Sequence, residues 1–177
     1  MDAKERVSQW LAAFEKALQD RDLDAVMSLF GPDCYWRDLV SFTWNIKTSE
    51  GPEQIRQMLL STLDSVQPSN WQIEGQPSED DGIVDAWFTF EPATARGKGH
   101  LRLKDGKAWT LLTTMVELKG FEEAKGVARP KGVEHGPQKA RQTWKESREQ
   151  EQKALGYTEQ PFVVIVGGGQ AGIILGA

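Results

Sequence analysis

The chain has 177 residues, of which 26 are acidic and 21 are basic, and its formal net charge at pH 7 is −5. Because binding to a phosphate backbone requires a positively charged face, this balance argues against a nucleic-acid partner. The single cysteine, Cys34, allows no intrachain disulfide, and with only two histidines it cannot complete the usual ligand set of a zinc site. The N-terminus lacks the apolar core of a secretory signal, so we expect a cytoplasmic protein without a metal ion.

Three helices are predicted in the first part of the chain. The first is marked by apolar residues at helical spacing, namely Val7, Trp10, Leu11, Phe14 and Leu18. Asp20 or Asp22 can cap a second, short helix that closes at Gly31-Pro32. An acidic first turn around Glu53 then begins a third helix, whose apolar stripe runs from Ile55 to Leu63.

Strands are predicted between the second and third helices and after the third. Residues 34–44 (CYWRDLVSFTW) are rich in aromatic and β-branched residues and predict a strand followed by a loop. After Pro68 apolar and polar residues alternate, and turns at 80–82 and at Asp105-Gly106 separate the strands at 83–90, 97–104 and 107–118. In the last strand we expect Trp109, Leu111, Thr113 and Met115 on one face. Helices followed by antiparallel strands predict an α+β fold with the helices on one face of a curved sheet.

The C-terminal third differs in composition. Residues 119–160 are rich in glycine, proline and charge, as linkers are, and a polar helix is predicted from Pro137 to Leu155. Residues 162–166 are an apolar run, and the three glycines of a G-x-G-x-x-G pattern follow at once, which predicts a buried parallel strand, a tight turn and a helix start. A dinucleotide-binding βαβ unit needs roughly 30 residues, so we expect this to be its truncated beginning. A membrane anchor is the alternative for residues 161–177, which carry no charge, but Pro161 and Gln170 argue against it.

Two parts of the chain resemble known families. The layout of residues 1–120, including DLDAVMSLFGPDCYWRDLVSFTW at 22–44, resembles the nuclear transport factor 2-like fold, the cone-shaped domain of ketosteroid isomerase, scytalone dehydratase and SnoaL-type cyclases. The linker KGFEEAKGVARPKGVEHG followed by PFVVIVGGGQAGIILGA resembles a subgroup of flavin-containing monooxygenases in which such a domain precedes the FAD-binding domain. The resemblance implies a domain at 1–120, a linker at 121–160 and the start of a Rossmann domain at 161–177.

The second resemblance also implies a cofactor and an activity. It places Gly167, Gly168, Gly169, Gln170, Ala171 and Gly172 at the pyrophosphate of FAD. The complete protein would then be an oxidoreductase, an FAD- and NADPH-dependent monooxygenase acting on a small organic substrate. The ribose-binding acidic residue, the second glycine loop and the monooxygenase signature of that family are not among the 177 residues. We therefore expect the chain alone to bind FAD weakly or not at all, and to lack flavin chemistry.

The cone offers its own candidate site. Its candidate residues are Trp36, Asp38, Trp44, Trp87 and His100. A carboxylate among aromatic side chains can serve as a base, as in isomerases of this fold, which makes Asp38 and His100 catalytic candidates. The alternatives are that Asp38 is solvated or paired with Arg37, and that the aromatic residues belong to the core.

A second class of function therefore stays open beside the monooxygenase. Residues 1–120 would be a stand-alone module that dimerises through the sheet face, binds a small-molecule ligand, or works as a small isomerase or dehydratase. The strands at 83–90 and 107–118 would supply the sheet face.

Overall fold

The three helices form where the apolar stripes predict them. In the computed structural model, which describes residues 2–129, 142–161 and 163–176, they are α1 (Ala3–Gln19), α2 (Leu23–Ser28) and α3 (Gly51–Val66). Asp2 and Glu5 form a capping box at the start of α1, and the side chain of Asp22 caps α2. The prediction that α2 closes at Gly31-Pro32 is wrong, because Phe30 is already buried in the first strand.

Six strands form one sheet: β1 (Phe30–Leu39), β2 (Ile46–Glu50), β3 (Ser69–Asp80), β4 (Ile83–Glu91), β5 (Ala95–Lys104) and β6 (Lys107–Leu118). Their order is β2-β1-β6-β5-β4-β3, and every neighbouring pair is antiparallel except β1 with β6. The expected antiparallel sheet is therefore wrong at this junction, which is parallel because the chain between β1 and β6 provides a long crossover. The short edge strand β2 was not anticipated.

The two hairpin turns confirm the turn predictions. Asp81 and Gly82 have φ angles of 47° and 74°, and Asp105 and Gly106 have φ angles of 51° and 75°. Two central residues with positive φ define the type I′ turn that matches the twist of a hairpin.

A β-bulge at the start of β6 changes the face that the sequence predicts there. The pairing shifts between Arg102 with Thr110 and Leu103 with Ala108. Ala108 is therefore buried in line with Leu111, while Trp109 is only half-buried. The prediction that Trp109 shares the inner face with Leu111 is wrong for this reason.

One face of the sheet packs against the helices and forms the core. Inward positions alternate along the strands, as in Val84, Ala86, Phe88 and Phe90 of β4. The helices supply Trp10 and Phe14 from α1 and Ile55 and Leu59 from α3, among others. Residues 119–129 follow β6 and contain a 3₁₀ turn at Gly126–Ala128.

The chain divides into two units, Met1–Arg129 and Pro130–Ala177. In the second unit, α4 (Trp144–Ala154) is capped by Thr143 and Glu146, and α5 spans Gln170–Gly176. The predicted helix start at Pro137 lies outside the described residues.

The buried strand predicted at 162–166 is not formed in the residues that can be described. Residues 163–166 are exposed and pair with no strand of the described chain, and Phe162 itself lies outside it. A parallel strand is stable only beside a neighbouring strand that completes its hydrogen bonds, and residues 142–161 and 163–176 contain no such strand.

Candidate functional site

Aromatic side chains fill the space between the helices and the sheet. The rings of Trp71 and Phe90 stack with centroids 4.6 Å apart, and Trp36 meets Phe42 edge-on at 5.0 Å. Eight buried rings take part in these contacts: Trp10, Phe14, Phe30, Trp36, Phe42, Trp71, Phe88 and Phe90. Such pairs contribute beyond their buried area, so the interior of the cone is a packed core.

Two glycines on β5 make room for these rings. A Cβ at Gly99 would overlap the ring of Phe88 and the backbone oxygen of Leu112, and a Cβ at Gly97 would overlap the ring of Phe90. The phenylalanine rings therefore lie directly against the β5 backbone. Only glycine permits this close approach.

Asp38 is the buried polar centre of the core. It is fully buried on β1, directly opposite Thr113 of β6. One carboxylate oxygen accepts hydrogen bonds from the backbone N–H groups of Phe42 (3.0 Å) and Thr43 (2.8 Å), with the Thr43 hydroxyl also 2.8 Å away. The other oxygen accepts from the Thr113 hydroxyl at 2.8 Å, and that hydroxyl accepts from the indole N–H of Trp36 at 2.9 Å.

These contacts give Asp38 a structural partner at each oxygen. Its charge is balanced by oriented donors rather than by Arg37, whose side chain points to the opposite face and contacts Thr48. Both oxygens of this buried carboxylate are therefore satisfied by hydrogen bonds from within the fold. The arrangement fixes the loop after β1 to the middle of the sheet.

That loop, residues 40–45, has a strained backbone. Val40 and Trp44 have φ angles of 56° and 52°, in the left-handed region that β-branched and bulky residues avoid. The loop closes through Val40 N to Asn45 O at 3.0 Å, and Trp44 is 62% exposed at its tip. The hydrogen bonds to Asp38 hold this strained backbone in place.

His100 lies on the opposite face of the sheet from Asp38. Its Nε2 is 2.7 Å from Asp85 Oδ1, and the Nε of Arg102 donates to Asp85 Oδ2 at 3.0 Å. The ring of Trp87 packs on the imidazole with centroids 4.6 Å apart. Burial opposes the ionisation of Asp85, but the hydrogen bonds from Arg102 and His100 outweigh it and lower the pKa of this carboxyl.

The five sequence candidates are thus placed in three separate environments. Trp36 and Asp38 lie in the core, Trp44 lies on the exposed loop, and Trp87 and His100 lie on the outer face. Neither Thr113 nor Asp85, which bind the two polar candidates, was singled out as a site residue from the sequence. The alternation of inward and outward residues along their strands could have predicted which face each side chain is on.

The outer sheet face is not covered by any element of residues 2–129. We use this name for the outward side chains of the sheet, which include the cross-strand row formed by Trp87, His100, Leu112 and Arg37. Large apolar side chains on this face are exposed: Tyr35, Ile46, Trp87 and Val116. Several large exposed apolar side chains on one face of a sheet are a feature of interaction surfaces.

The glycine segment of the second unit is a loop followed by a helix start. Gly167 has a φ of 113°, and a Cβ at Gly172 would overlap the backbone oxygen of Gly167. Ile173 N donates to Gly169 O at 3.0 Å, within the first turn of α5. Glycine is therefore required at 167 and 172 by the local backbone itself, and the assignment of residues 167–172 to FAD stays a prediction.

Other candidate features are weaker. The Cys34 thiol is buried, and burial raises its pKa, which disfavours the reactive thiolate. Within residues 2–129, 142–161 and 163–176, no three histidine, cysteine or acidic side chains cluster as metal ligands would. Over the same residues, no helix is both long and apolar enough to cross a membrane.

Comparison with known proteins places the first unit. The family model of the SnoaL-like domain matches residues 9–111. No curated protein matches the chain in sequence. Among solved structures, a ketosteroid isomerase-like protein from Erwinia carotovora atroseptica is 13% identical, with 64% of this chain and 93% of that chain covered and a TM-score of 0.50.

Two Mycobacterium tuberculosis structures are similar at a lower score. A protein in complex with estradiol-17beta-hemisuccinate is 12% identical, covering 61% of this chain and 92% of that chain with a TM-score of 0.48. A LEH-like epoxide hydrolase is 18% identical, covering 63% of this chain and 84% of that chain with a TM-score of 0.45. At these identities the likeness concerns the fold alone.

Proposed function

Because the chain belongs to the SnoaL-like domain family through residues 9–111, we propose that its first unit is a dimerisation module that pairs with a second copy. The observation that carries this proposal is the exposed outer sheet face. Trp87 is 45% exposed and Tyr35 is 43% exposed, although both lie on inner strands of the sheet, whose other face packs against the helices. Burial of such side chains supplies much of the free energy of association.

The size of the face suits a stable dimer. Its four longer inner strands have 9 to 12 residues. At about 3.3 Å per residue these strands are roughly 30 Å long, and six strands about 4.8 Å apart span roughly 24 Å. The resulting area of about 700 Å² is close to the roughly 800 Å² per partner of a standard interface.

The charges of the face favour a second copy over a strongly charged partner. Arg37, Lys98 and Arg102 lie among Glu74 and Asp85. A two-fold interface brings the same patch against itself, so it must carry both signs of charge. A highly acidic or highly basic partner would leave half of these charges opposed by like charges.

The test is the mass of the full chain in solution by light scattering during gel filtration. We expect a dimer for the native chain and monomers for Trp87→Glu and for Tyr35→Glu, since each buries a carboxylate in the interface. The control is Leu60→Glu, which changes an exposed leucine on α3, outside the sheet face, and should stay dimeric. A monomeric native chain, or dimers of both sheet variants, would overturn the proposal.

A catalytic role for Asp38 or His100, as in a small isomerase or dehydratase, stays a prediction. The packed aromatic core and the four donors around Asp38 support a structural use of that carboxylate. Asp38→Asn tests the alternative, because a base cannot be replaced by an amide without loss of turnover. Unchanged turnover of a folded variant would exclude Asp38 as the base.

The glycine segment supports a second candidate function. We infer that the segment belongs to the start of an FAD-binding domain of an NADPH-dependent monooxygenase that acts on a small organic substrate. The positive φ of Gly167 and the close approach of Gly172 to Gly167 fit a loop that must bring its backbone near a pyrophosphate. FAD would supply the redox chemistry when bound, and residues 167–172 would hold its phosphates.

This candidate requires chain that the 177 residues do not contain, namely the adenine and ribose contacts and a second nucleotide loop. Its test is an immunoblot of the source organism against residues 2–129, with flavin absorbance measured on the purified native species. A species several times larger than 19.8 kDa that carries FAD supports the monooxygenase. A flavin-free species of 19.8 kDa contradicts it and leaves the dimerisation module in place.

A further inference from the structure

His100 lies near the centre of the outer sheet face. The cross-strand row across the middle of that face is formed, from β2 to β3, by Thr48, Arg37, Leu112, His100, Trp87 and Glu74. One further row passes through Lys98 and another through Arg102, because outward residues recur at every second position of a strand. The side chain of His100 is 16% exposed. A second copy that covers this face therefore removes the remaining contact of the imidazole with water.

Two ion pairs lie beside the imidazole. Asp85 Oδ1 is 2.7 Å from the Nε2 of His100, and the other oxygen of Asp85 accepts from the Nε of Arg102 at 3.0 Å. Lys98, two positions before the histidine on the same strand, pairs with Glu74 at 2.5 Å. Each carboxylate beside the histidine therefore already has a basic partner of its own.

The other neighbours of the imidazole are uncharged. The ring of Trp87 packs on it with centroids 4.6 Å apart, and Lys98 Nζ is 5.0 Å from the centroid of that indole ring. On the β6 side the opposite residue is Leu112, and the diagonal residues on the same face are Thr110 and Thr114. Two positive and two negative side chains thus surround the imidazole, and the cluster has no net charge while the histidine is neutral.

Protonation of His100 changes this balance. Asp85 is then shared between two cations, Arg102 and the imidazolium, and the cluster has a net charge of +1. In a single chain, water screens the added charge. Under a second copy the charge loses this hydration, which is costly for a charge without a full partner. A two-fold interface contains the cluster twice, so it encloses two uncompensated positive charges.

We propose that His100 makes the dimer sensitive to pH, so that protonation of the two histidines separates the copies. This inference rests on the proposed dimerisation through the outer sheet face. Histidine is the side chain that ordinarily changes its charge between about pH 5 and pH 8. Dissociation then takes up protons, so association is favoured above this range and is lost as the pH falls through it. Two protons per dimer raise the dissociation constant by at most about 100-fold for each pH unit.

The test is the dissociation constant of the full chain from a concentration series in sedimentation velocity, at about pH 7.5 and about pH 5.5 and at one ionic strength. For the native chain we expect a rise of about 10- to 100-fold at the lower pH. For His100→Gln the ratio of the two constants should be below about twofold, whatever their absolute values, because the amide does not titrate. The matched control is His135→Gln, which changes the other histidine of the chain and should keep the native ratio. Circular dichroism at both pH values checks that each protein remains folded.

The outcomes separate this inference from the dimer itself. A native chain that dimerises equally tightly at both pH values overturns the role of His100 and leaves the dimerisation module in place. A native chain that is monomeric at both pH values overturns both. Loss of the pH response in His135→Gln, or its persistence in His100→Gln, assigns the response to another group and overturns the inference. A response that survives in His135→Gln supports it even if His100→Gln fails to dimerise, because His100 is then the histidine that remains.

Discussion

Replacing Asp38 with alanine removes the acceptor that holds the loop at 40–45 to the sheet. The side chain is fully buried and accepts from the backbone N–H groups of Phe42 and Thr43. Without the carboxylate, those two N–H groups lose their acceptor, because neither forms a second hydrogen bond within the loop. The Thr43 and Thr113 hydroxyls can rotate to other partners.

The expected loss follows from these contacts. A buried donor left without an acceptor costs about 1–3 kcal/mol. One of the two N–H groups is buried and the other is partly buried, so we expect Asp38→Ala to lose about 3–4 kcal/mol of unfolding free energy. Asp38→Asn keeps one oxygen for both N–H groups and is expected to lose only about 1 kcal/mol.

The assay is urea unfolding followed by near-ultraviolet circular dichroism, which reports the fixed aromatic core. With a slope of about 2 kcal/mol per molar urea, the alanine variant should shift the midpoint by roughly 1.5–2 M and the asparagine variant by about 0.5 M. A loss below about 1 kcal/mol for alanine, or equal losses for the two variants, would refute the structural role of the carboxylate.

Three further outcomes are expected. Thr113→Val leaves the indole N–H of Trp36 and one oxygen of Asp38 unpaired, so we expect the unfolding free energy in urea to fall by about 2–3 kcal/mol. Thr113→Ser keeps the hydroxyl and should lower it by less than about 1 kcal/mol. Similar losses for the two variants would contradict these hydrogen bonds. Gly99→Ala forces a Cβ into a phenylalanine ring and a backbone oxygen and should lose more than about 3 kcal/mol, while Gly31→Ala, whose Cβ would be 3.7 Å from the nearest atom, should change stability by less than about 1. The lowered pKa of Asp85 favours its charged form in the folded state, so its stabilisation is present above the ordinary carboxyl pKa of about 3.9 and is lost as the pH falls below it. The stability difference between the native chain and Asp85→Asn should therefore be larger at neutral pH than at about pH 3, and a difference independent of pH would show that the ion pair contributes nothing.

Much of the fold could be predicted because its signals are local. The helical spacing of Trp10 and Phe14 gave α1, and the two Asp-Gly turns gave both hairpins with their positive φ angles. The parallel pairing of β1 with β6 could not be predicted in this way. A strand's own residues specify which side chains face the core, but not which distant strand lies beside it.

The candidate site shows the same division. Leu101 and Leu103 are apolar and alternate with polar residues along β5, which predicts that His100 points away from the core. The residues beside it belong to β4 and β6, and the register of those two strands decides which of their residues lie next to the histidine. The sequence therefore predicted His100 as a candidate without its partner Asp85.

By itself, the sequence determined the helices, the hairpins and the glycine loop, because each depends on residues within one turn or one strand. The tertiary structure alone decided which groups surround Asp38. Its partner Thr113 is 75 residues further along the chain, and only the parallel pairing of β1 with β6 brings the two together. A buried carboxylate must find its donors wherever the fold places them, and no local pattern records which ones it will find.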